Sequence, residues 1–219
     1  YFCAIQEQEI DTQRRRAKNN SPFDSRCRHC RMQEEDICHI IGSCSRLCNS
    51  MYLPFRHDQV AQLLYVEILR LQDPAIDFKP PEQVRTIGST EVWWDRKIQC
   101  IPSVKFNRPD MVVWDRAKKQ ATIIEIGIPL DVNVEDTERT KRDKYMPLAI
   151  GLKRVYPDYT FQCVPIVVGA TGLVTKSTRE NLKAIGFNEQ VTKKLISRIV
   201  EKVVYGTAKV AKAALSIRE

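Results

Sequence analysis

Apolar side chains recur with helical spacing between Asp58 and Leu71, which predicts a helix over this segment. Glu67 lies three residues after Leu64 and four after Leu63, so it falls on the stripe that should face the core. A carboxylate in that position needs a cation or a metal ion nearby. The apolar stripe consists of Val60, Leu63, Leu64, Ile68 and Leu71.

Two runs rich in β-branched residues follow, at 111–114 and 121–126, and the polar turn 115–120 joins them. This pattern predicts a buried β-hairpin. The apolar residues in 92–98 predict a strand before it, and 162–168 predicts a strand after it.

Helical patterns cover 134–150, a short segment from Ser177 and a longer one from Asn188. Pro147 limits the prediction for the last turn of the first of these helices. Strands interleaved with helices predict an α/β fold with one main domain.

The chain has 219 residues and a formal charge of +8, which favours an anionic partner because Lys and Arg release counterions from phosphates. A merely basic soluble protein has the same charge. Residues 1–26 read as a linker or basic arm, whose run Arg14-Arg15-Arg16 could touch a nucleic-acid backbone or form a solvated face. No apolar run approaches the roughly 18 residues that cross a bilayer, and no signal segment opens the chain, so we expect no membrane partner.

Eight cysteines are present, and several of them crowd into residues 27–50 together with histidines. This crowding is typical of metal ligation, because a CxxC spacing lets two thiolates reach one ion and metal binding explains how so polar a segment folds. His29 and Cys48 are alternative candidates for a place in the ligand set. The other interpretation of the segment is that its cysteines are free and bind no metal. The predicted zinc ligands are Cys27, Cys30, His39 and Cys44.

Two carboxylates stand near the ends of the predicted hairpin strands. Asp110 opens one strand and Glu125 lies near the end of the other, so pairing would bring them to one edge of the sheet. With the carbonyl of Ile126 they form a hard oxygen set that suits magnesium. Lys141 and Lys144 share a face of the next helix, where a lysine could orient water or stabilise developing charge.

These motifs resemble a known nuclease family. Pro109-Asp110, Glu125 and the segment 141–145 resemble the PD-(D/E)xK restriction-like endonucleases, whose mixed sheet is flanked by helices. A narrower likeness, over about residues 24–219, is to the C-terminal region of site-specific non-long-terminal-repeat retrotransposon proteins. Its motifs are Cys27-Arg28-His29-Cys30 with Glu35, His39-Ile40, Cys44 and Arg56-His57-Asp58.

The resemblance implies a function. In that family a zinc knuckle and a nuclease follow a reverse transcriptase, and the nuclease nicks one target strand so that its 3′ end primes copying of the element RNA. It implies magnesium or manganese and zinc as cofactors, and double-stranded DNA, element RNA and the polymerase domain as partners, in the nucleus. Because the chain begins at Tyr1 and has no Tyr-Ala-Asp-Asp-like polymerase motif, we expect it to be part of a longer polyprotein.

The resemblance also implies site residues. Asp110 and Glu125 would bind the metal, and Glu67 matches a glutamate that the superfamily often carries on the helix before the first strand. The usual pattern has a lysine two residues after the second acid, where this chain has Gly127. The retrotransposon branch places the lysine on the following helix, which indicates Lys141 or Lys144.

Three further residues are candidate phosphate contacts, although surface ion pairs would explain them equally well: Arg56, His57 and Arg108. The predicted layout is an arm over 1–26, a CCHC zinc knuckle over 27–50 and a restriction-like endonuclease domain over 51–219. The missing lysine at Gly127 keeps a second hypothesis open, in which the fold only binds nucleic acid without cutting it.

Overall fold

The computed structural model describes residues 2–7, 9–19 and 22–216. Its five strands are β1 (Val84–Ile87), β2 (Thr90–Trp94), β3 (Met111–Asp115), β4 (Gln120–Gly127) and β5 (Thr160–Val167). The α-helices within these residues are α1 (Phe2–Gln6), α2 (Gln13–Asn19), α3 (Asp58–Arg70), α4 (Val134–Val155), α5 (Lys176–Ile185) and α6 (Glu189–Ser216). Two π-helical segments, His39–Ser43 and Cys48–His57, lie between α2 and α3.

The strands form one mixed sheet in the order β1-β2-β3-β4-β5. All neighbours are antiparallel except β4 and β5, which are parallel and are joined by α4. Parallel strands need such a crossover, and a helix supplies it. The strand β4 is buried over nearly all its length, as expected for a strand covered on both faces.

Helices cover both faces of the sheet. Met111 and Ile124 point to the core beneath α3 and α6, whereas Val112 and Ile123 point to the opposite core beneath α4. This alternation follows from the two-residue period of a strand. The α/β class and the mixed sheet flanked by helices are therefore confirmed.

The helix predicted from Asp58 is confirmed as α3, and the hairpin is confirmed with the register Met111↔Ile124. The strand prediction was wrong at Lys97 and Ile98, because the chain leaves the sheet after Trp94 and forms an irregular loop over 95–109. Ile98 is buried in that loop, which accounts for its apolar signal.

Two other elements differ from the prediction. The strand β1 was missed, since its Val-Arg-Thr-Ile sequence is short and half polar. The helix α4 continues past Pro147 to Val155. Pro147 has no N–H to donate to the carbonyl of Asp143, four residues earlier. Both residues are exposed, so water can donate to that carbonyl instead.

Residues 1–26 were expected to be a linker or arm, but α1 and α2 lie there. Ile5 and Ile10 are buried against the cysteine-rich segment, so a few apolar side chains suffice to dock this part of the chain. The three arginines of the basic run pair with acidic groups, Arg14 with Asp36, Arg15 with Glu9 and Arg16 with Asp11. In the described part of the chain, no helix is both long and apolar enough to cross a membrane.

Candidate metal centre and nuclease site

The cysteine-rich segment folds around a tight turn. The amide of Arg31 donates to the carbonyl of Cys27 at 2.9 Å, and the amide of Cys27 donates to the carbonyl of Gln33 at 2.7 Å. This turn places Cys27 and Cys30 side by side. The π-helical segment His39–Ser43 then brings His39 and Cys44 to the same point.

The four predicted ligand atoms lie within 4.8 Å of one another. The Sγ atoms of Cys27 and Cys44 are 3.9 Å apart, and Cys30 Sγ is 3.3 Å from Nε2 of His39. Two sulfurs bound to one tetrahedral zinc ion, at about 2.3 Å each, would lie roughly 3.8 Å apart. The donor set and spacing therefore fit a metal ion such as zinc.

The imidazole of His39 is oriented for this role. Its Nδ1 lies 3.0 Å from the side-chain oxygen of Gln33, so an N–H there leaves Nε2 free to face the sulfurs. Burial lowers the pKa of His39, which favours the neutral ring that a metal requires. The role of Gln33 was not predicted, since a glutamine in a polar turn carries no distinctive signal.

Burial also acts on the thiols. It raises the pKa of Cys27, and it raises the pKa of Cys44 to about 12. Burial raises the pKa of Cys30, but hydrogen bonds from backbone N–H groups and from Cys27 and Cys44 outweigh it and lower the pKa. Buried thiols without a cation have little stabilisation as thiolates, so a bound metal ion would supply what the surrounding protein lacks.

The cysteine-rich segment is packed into the rest of the protein. The guanidinium of Arg28 forms a buried ion pair with Glu35 at 2.7 Å and donates to the carbonyl of Leu215 in α6 at 3.1 Å. Burial raises the pKa of Glu35, but hydrogen bonds from Arg28 and Gln13 outweigh it and lower the pKa. The segment is thus held against α6 rather than tethered loosely.

Contacts on the other side reach the segment that follows β4. A Cβ atom on Gly42 would lie 2.6 Å from Cγ of Leu130. The metal cluster and the extension of β4 therefore share a packed interface.

The alternative ligands do not join the cluster. Nε2 of His29 lies 2.9 Å from the carbonyl of Ala214, and Cys48 is exposed. The ligand set that the spacing predicts, Cys27, Cys30, His39 and Cys44, is therefore the one that the fold brings together.

The carboxylate cluster is built by strand register. Met111 pairs with Ile124 in the antiparallel hairpin, so Asp110 and Glu125 are neighbours just beyond that pair. The amide of Asp110 donates to Oε2 of Glu125 at 3.3 Å. The sequence prediction that both carboxylates share one edge of the sheet agrees with this geometry.

Asp110 accepts two hydrogen bonds at Oδ2. One comes from the amide of Ile126 at 2.7 Å, and the other links it to Nε2 of His57 at 3.2 Å. Burial raises the pKa of Asp110, but the hydrogen bond and charge of His57, with the Ile126 amide and Lys141, lower it overall. Asp110 is therefore held as a carboxylate.

His57 bridges two acids, because its Nδ1 also lies 3.0 Å from Oδ1 of Asp58. Burial opposes protonation of the ring, yet Asp110 and Asp58 raise the pKa of His57 to about 8. The sequence placed His57 among phosphate contacts. Its contact with Asp110 requires the tertiary placement of α3 and could not be read from spacing.

Both candidate lysines reach Glu125. Nζ of Lys141 is 3.1 Å and Nζ of Lys144 is 3.0 Å from Oε1 of Glu125. Tyr145 is buried beside them and donates to the carbonyl of Arg108 at 2.8 Å, which fixes this turn of α4 against the loop before β3. Burial of Tyr145 raises the pKa of its hydroxyl, which keeps the hydroxyl neutral.

Gly127 has a steric relation to one of these lysines. A Cβ atom on Gly127 would lie 2.8 Å from Cε of Lys141. The aliphatic part of Lys141 thus occupies the space that a side chain at 127 would enter. This observation favours Lys141 over Lys144 as the counterpart of the lysine that the usual nuclease pattern places at that position.

Ile126 supplies a backbone group to the same edge. Its amide faces Asp110, and in an extended strand the N–H and C=O of one residue face the same neighbour. The carbonyl of Ile126 therefore faces the carboxylate cluster, as the predicted oxygen set requires.

Three predicted site residues lie elsewhere or are engaged otherwise. Glu67 pairs with Arg70 at 2.8 Å and Arg198 at 2.7 Å, and it stands about 14 Å along α3 from Asp58. Arg56 is 1% exposed and donates to the carbonyl of Ile41 at 2.7 Å, so it cannot reach a phosphate. Its prediction as a phosphate contact was wrong because a buried structural arginine and a surface one look alike in sequence.

Arg108 is exposed near the carboxylates, and it pairs with Asp95 at 2.6 Å. It keeps a surface from which a phosphate could be contacted. The surface ion pair that the sequence left open is present as well.

No protein-family model matches the chain. No curated protein is significantly similar to it in sequence. The likeness to retrotransposon nucleases therefore stays a prediction that its motif residues carry.

Proposed function

We propose that this chain is a metal-dependent DNA endonuclease that nicks one strand of a target duplex. The observation that carries the proposal is the pairing of Asp110 with Glu125 at one sheet edge, with Lys141 and Lys144 on the Glu125 carboxylate. Two acids and a lysine in this arrangement are suited to phosphodiester hydrolysis.

The oxygen donors of this edge fit magnesium or manganese. The carboxylates of Asp110 and Glu125 and the carbonyl of Ile126 are hard ligands, and Mg²⁺ completes such a set with water and phosphate oxygens. When bound, the ion lowers the pKa of a coordinated water and neutralises charge on the phosphoryl group.

The side chains of the protein do the rest. The ammonium groups of Lys141 and Lys144 hold positive charge beside the position that a phosphate would take, where they stabilise the negative charge that develops during attack. His57 holds Oδ2 of Asp110 in place through its Nε2.

The wider role follows from the motif likeness. We propose that the nick provides a 3′ end for reverse transcription of a retrotransposon RNA in the nucleus. A reverse transcriptase domain of the same polyprotein and the element RNA would be its partners. The Cys27, Cys30, His39 and Cys44 cluster would hold zinc and form a CCHC knuckle beside a restriction-like nuclease core.

A second function remains a candidate because of Gly127. The position where the usual pattern has its lysine has no side chain, and the cations around Asp110 and Glu125 could serve to hold nucleic acid without cutting it. In this case the chain is a binding module with a nuclease-like fold.

A supercoiled-plasmid nicking assay with magnesium or manganese tests the proposal. We expect the wild-type protein to nick the plasmid and Asp110→Asn to abolish nicking. An asparagine can still accept the Ile126 amide, so the fold should survive. DNA binding should be kept or strengthened, because the substitution removes negative charge that repels phosphate.

The matched control is Asp115→Asn, which removes a carboxylate from the opposite end of the same strand. It should leave nicking unchanged. If folded wild-type protein binds plasmid and cuts neither plasmid nor native target with either metal, the binding module replaces the nuclease. If Asp110→Asn loses binding and cutting together, Asp110 is structural.

A further inference from the structure

Phe106 has an exposed aromatic ring beside the nuclease site. The residue is 43% exposed and lies in the loop 95–109, which leads directly into Asp110. In the same loop, Ile98 and Cys100 are buried against α4, whereas Ile101 is exposed like Phe106. The loop thus packs through Ile98 and Cys100 and leaves part of the Phe106 ring exposed.

Hydrogen bonds hold the backbone of the loop on both sides of Phe106. The amide of Ile98 donates to the carbonyl of Asn107 at 2.8 Å, and the amide of Asp95 donates to the carbonyl of Asp110 at 2.9 Å. Arg108 closes the loop onto Asp95, and Tyr145 donates to the Arg108 carbonyl. Because this backbone is already ordered, less conformational entropy is lost when a ligand stacks on the ring.

Cations surround the ring. Nζ of Lys105 lies 5.2 Å and Nζ of Lys144 lies 5.4 Å from its centroid, and the exposed Arg108 follows two residues later. Lys144 also contacts Glu125 at 3.0 Å. The distance from the ring centroid to Oε1 of Glu125 is therefore at most the sum of the last two distances, 5.4 Å and 3.0 Å. This span is comparable with the length of one nucleotide.

Single exposed apolar residues are common and usually need no explanation. Phe78 is such a case, because it is 62% exposed and, among the described residues, no cation lies over its ring. Phe106 differs from it in both its cations and its closeness to the carboxylates. That combination of an aromatic face with flanking positive charge is the one that binds an unpaired nucleotide.

We propose that Phe106 stacks on an unpaired base next to the phosphate that the nuclease cuts, while Lys105 and Lys144 attract the flanking backbone. This inference rests on the proposed nuclease function and names its substrate class, DNA that is unstacked at the cut site. A base inside a regular duplex is covered by its neighbours on both faces, so the ring would contact it only where the stack is opened.

Binding of two labelled duplexes tests the inference. One is fully paired and the other has the same sequence with a two-nucleotide bulge. Fluorescence anisotropy is measured with the zinc-loaded protein in calcium instead of magnesium, so that hydrolysis does not interfere and no chelator removes zinc. We expect Phe106→Ala to weaken binding of the bulged duplex by roughly 5- to 150-fold and that of the paired duplex much less.

Phe106→Trp should restore tight binding of the bulged duplex, since an indole stacks as well as a phenyl ring. Phe78→Ala is the matched control and should change neither affinity. A photocrosslink from 5-iododeoxyuridine in the bulge should map to Phe106 by mass spectrometry. These results together would support the stacking role.

The inference is overturned if Phe106→Ala binds the bulged duplex as tightly as the wild type, or weakens both duplexes equally. It is also overturned if the complex forms without a crosslink in residues 105–108. Cleavage is scored separately on plasmid. If the protein nicks plasmid and Phe106→Ala does not change binding of the bulged duplex, only the stacking role is contradicted. If Phe106→Ala weakens binding of the bulged duplex and the protein never nicks plasmid, only the nuclease function is contradicted.

Discussion

The two candidate sites differ in whether groups of the protein stabilise the charged form of their metal ligands in the absence of a metal ion. The cluster of Cys27, Cys30, His39 and Cys44 is built from one short segment, and burial raises the pKa of two of its thiols. The carboxylate cluster of Asp110 and Glu125 draws side chains from distant segments, and each carboxylate already has a cation beside it. Asp110 faces His57, and Glu125 faces both lysines.

We expect this difference to separate a structural role at the first site from the catalytic role that we propose for the second. Cys27 and Cys44 are buried thiols with raised pKa values, so a bound metal ion would supply the positive charge that stabilises them as thiolates and would contribute to folding. Carboxylates that are paired by side chains are satisfied in the folded chain, so their metal serves the reaction and not the fold. Loss of metal should then lower stability at the first site and activity at the second.

The largest effect is expected from removing one sulfur ligand. Cys44→Ser should release zinc and lower the free energy of unfolding by several kcal/mol, because binding of a structural zinc ion is worth about 10–16 kcal/mol in isolated fingers. Cys44 also belongs to the core that packs against α6, so the loss extends beyond the knuckle. Zinc stoichiometry and thermal unfolding measure both effects.

Cys48→Ser is the matched control, since Cys48 is four residues away and exposed. It should keep one equivalent of zinc and the wild-type melting temperature. Equal stability of the two variants, with full zinc content in both, would show that the buried cluster is not the metal centre.

The second effect concerns the lysines and leaves the fold intact. Lys141→Ala should lower nicking by about 100-fold, the order of magnitude for loss of one group that stabilises transition-state charge. The double variant Gly127→Lys with Lys141→Ala should recover at least part of this loss. The reason is that removal of the Lys141 side chain takes away the closest contact of a Cβ at position 127, which leaves Thr137 Cγ2, at 3.0 Å, as the remaining neighbour.

Arg139→Ala controls for the loss of a cation on α4, because Arg139 is exposed and pairs with Asp136 on the same helix. It should nick at the wild-type rate.

If Lys144→Ala is inactive and Lys141→Ala is active, the assignment of the two lysines is reversed.

Much of both sites could be predicted from sequence where the interactions are local. The zinc cluster follows from spacing within one segment, and the Asp110–Glu125 pair follows from a hairpin whose turn fixes the register. Lys141 and Lys144 were candidates because they share one face of the helix that follows β4. The family stays a prediction because it depends on motif likeness, and the activity stays a proposal that the arrangement of Asp110, Glu125 and the lysines supports.

Interactions between distant segments could not be predicted. The contact of His57 with Asp110 depends on where α3 begins relative to the sheet, and burial of Arg56 depends on the carbonyl of Ile41 and on α6. Periodicity placed Glu67 on a core-facing stripe and required a cation. It could not show that Arg198, far along the chain, supplies one.

The smallest effect is expected at that glutamate. Glu67 pairs with Arg70 and Arg198 and stands about 14 Å along α3 from Asp58, so it takes no part in the carboxylate cluster. Glu67→Gln should leave plasmid nicking unchanged and lower the free energy of unfolding by about 0–1 kcal/mol, as expected for partly exposed ion pairs.

The measurements are the nicking rate and a urea unfolding curve, with Arg198→Gln as the partner variant that should show the same small loss of stability. A tenfold loss of nicking in Glu67→Gln, with unchanged stability, would place Glu67 in the reaction and would mean that α3 moves toward the carboxylates when DNA binds.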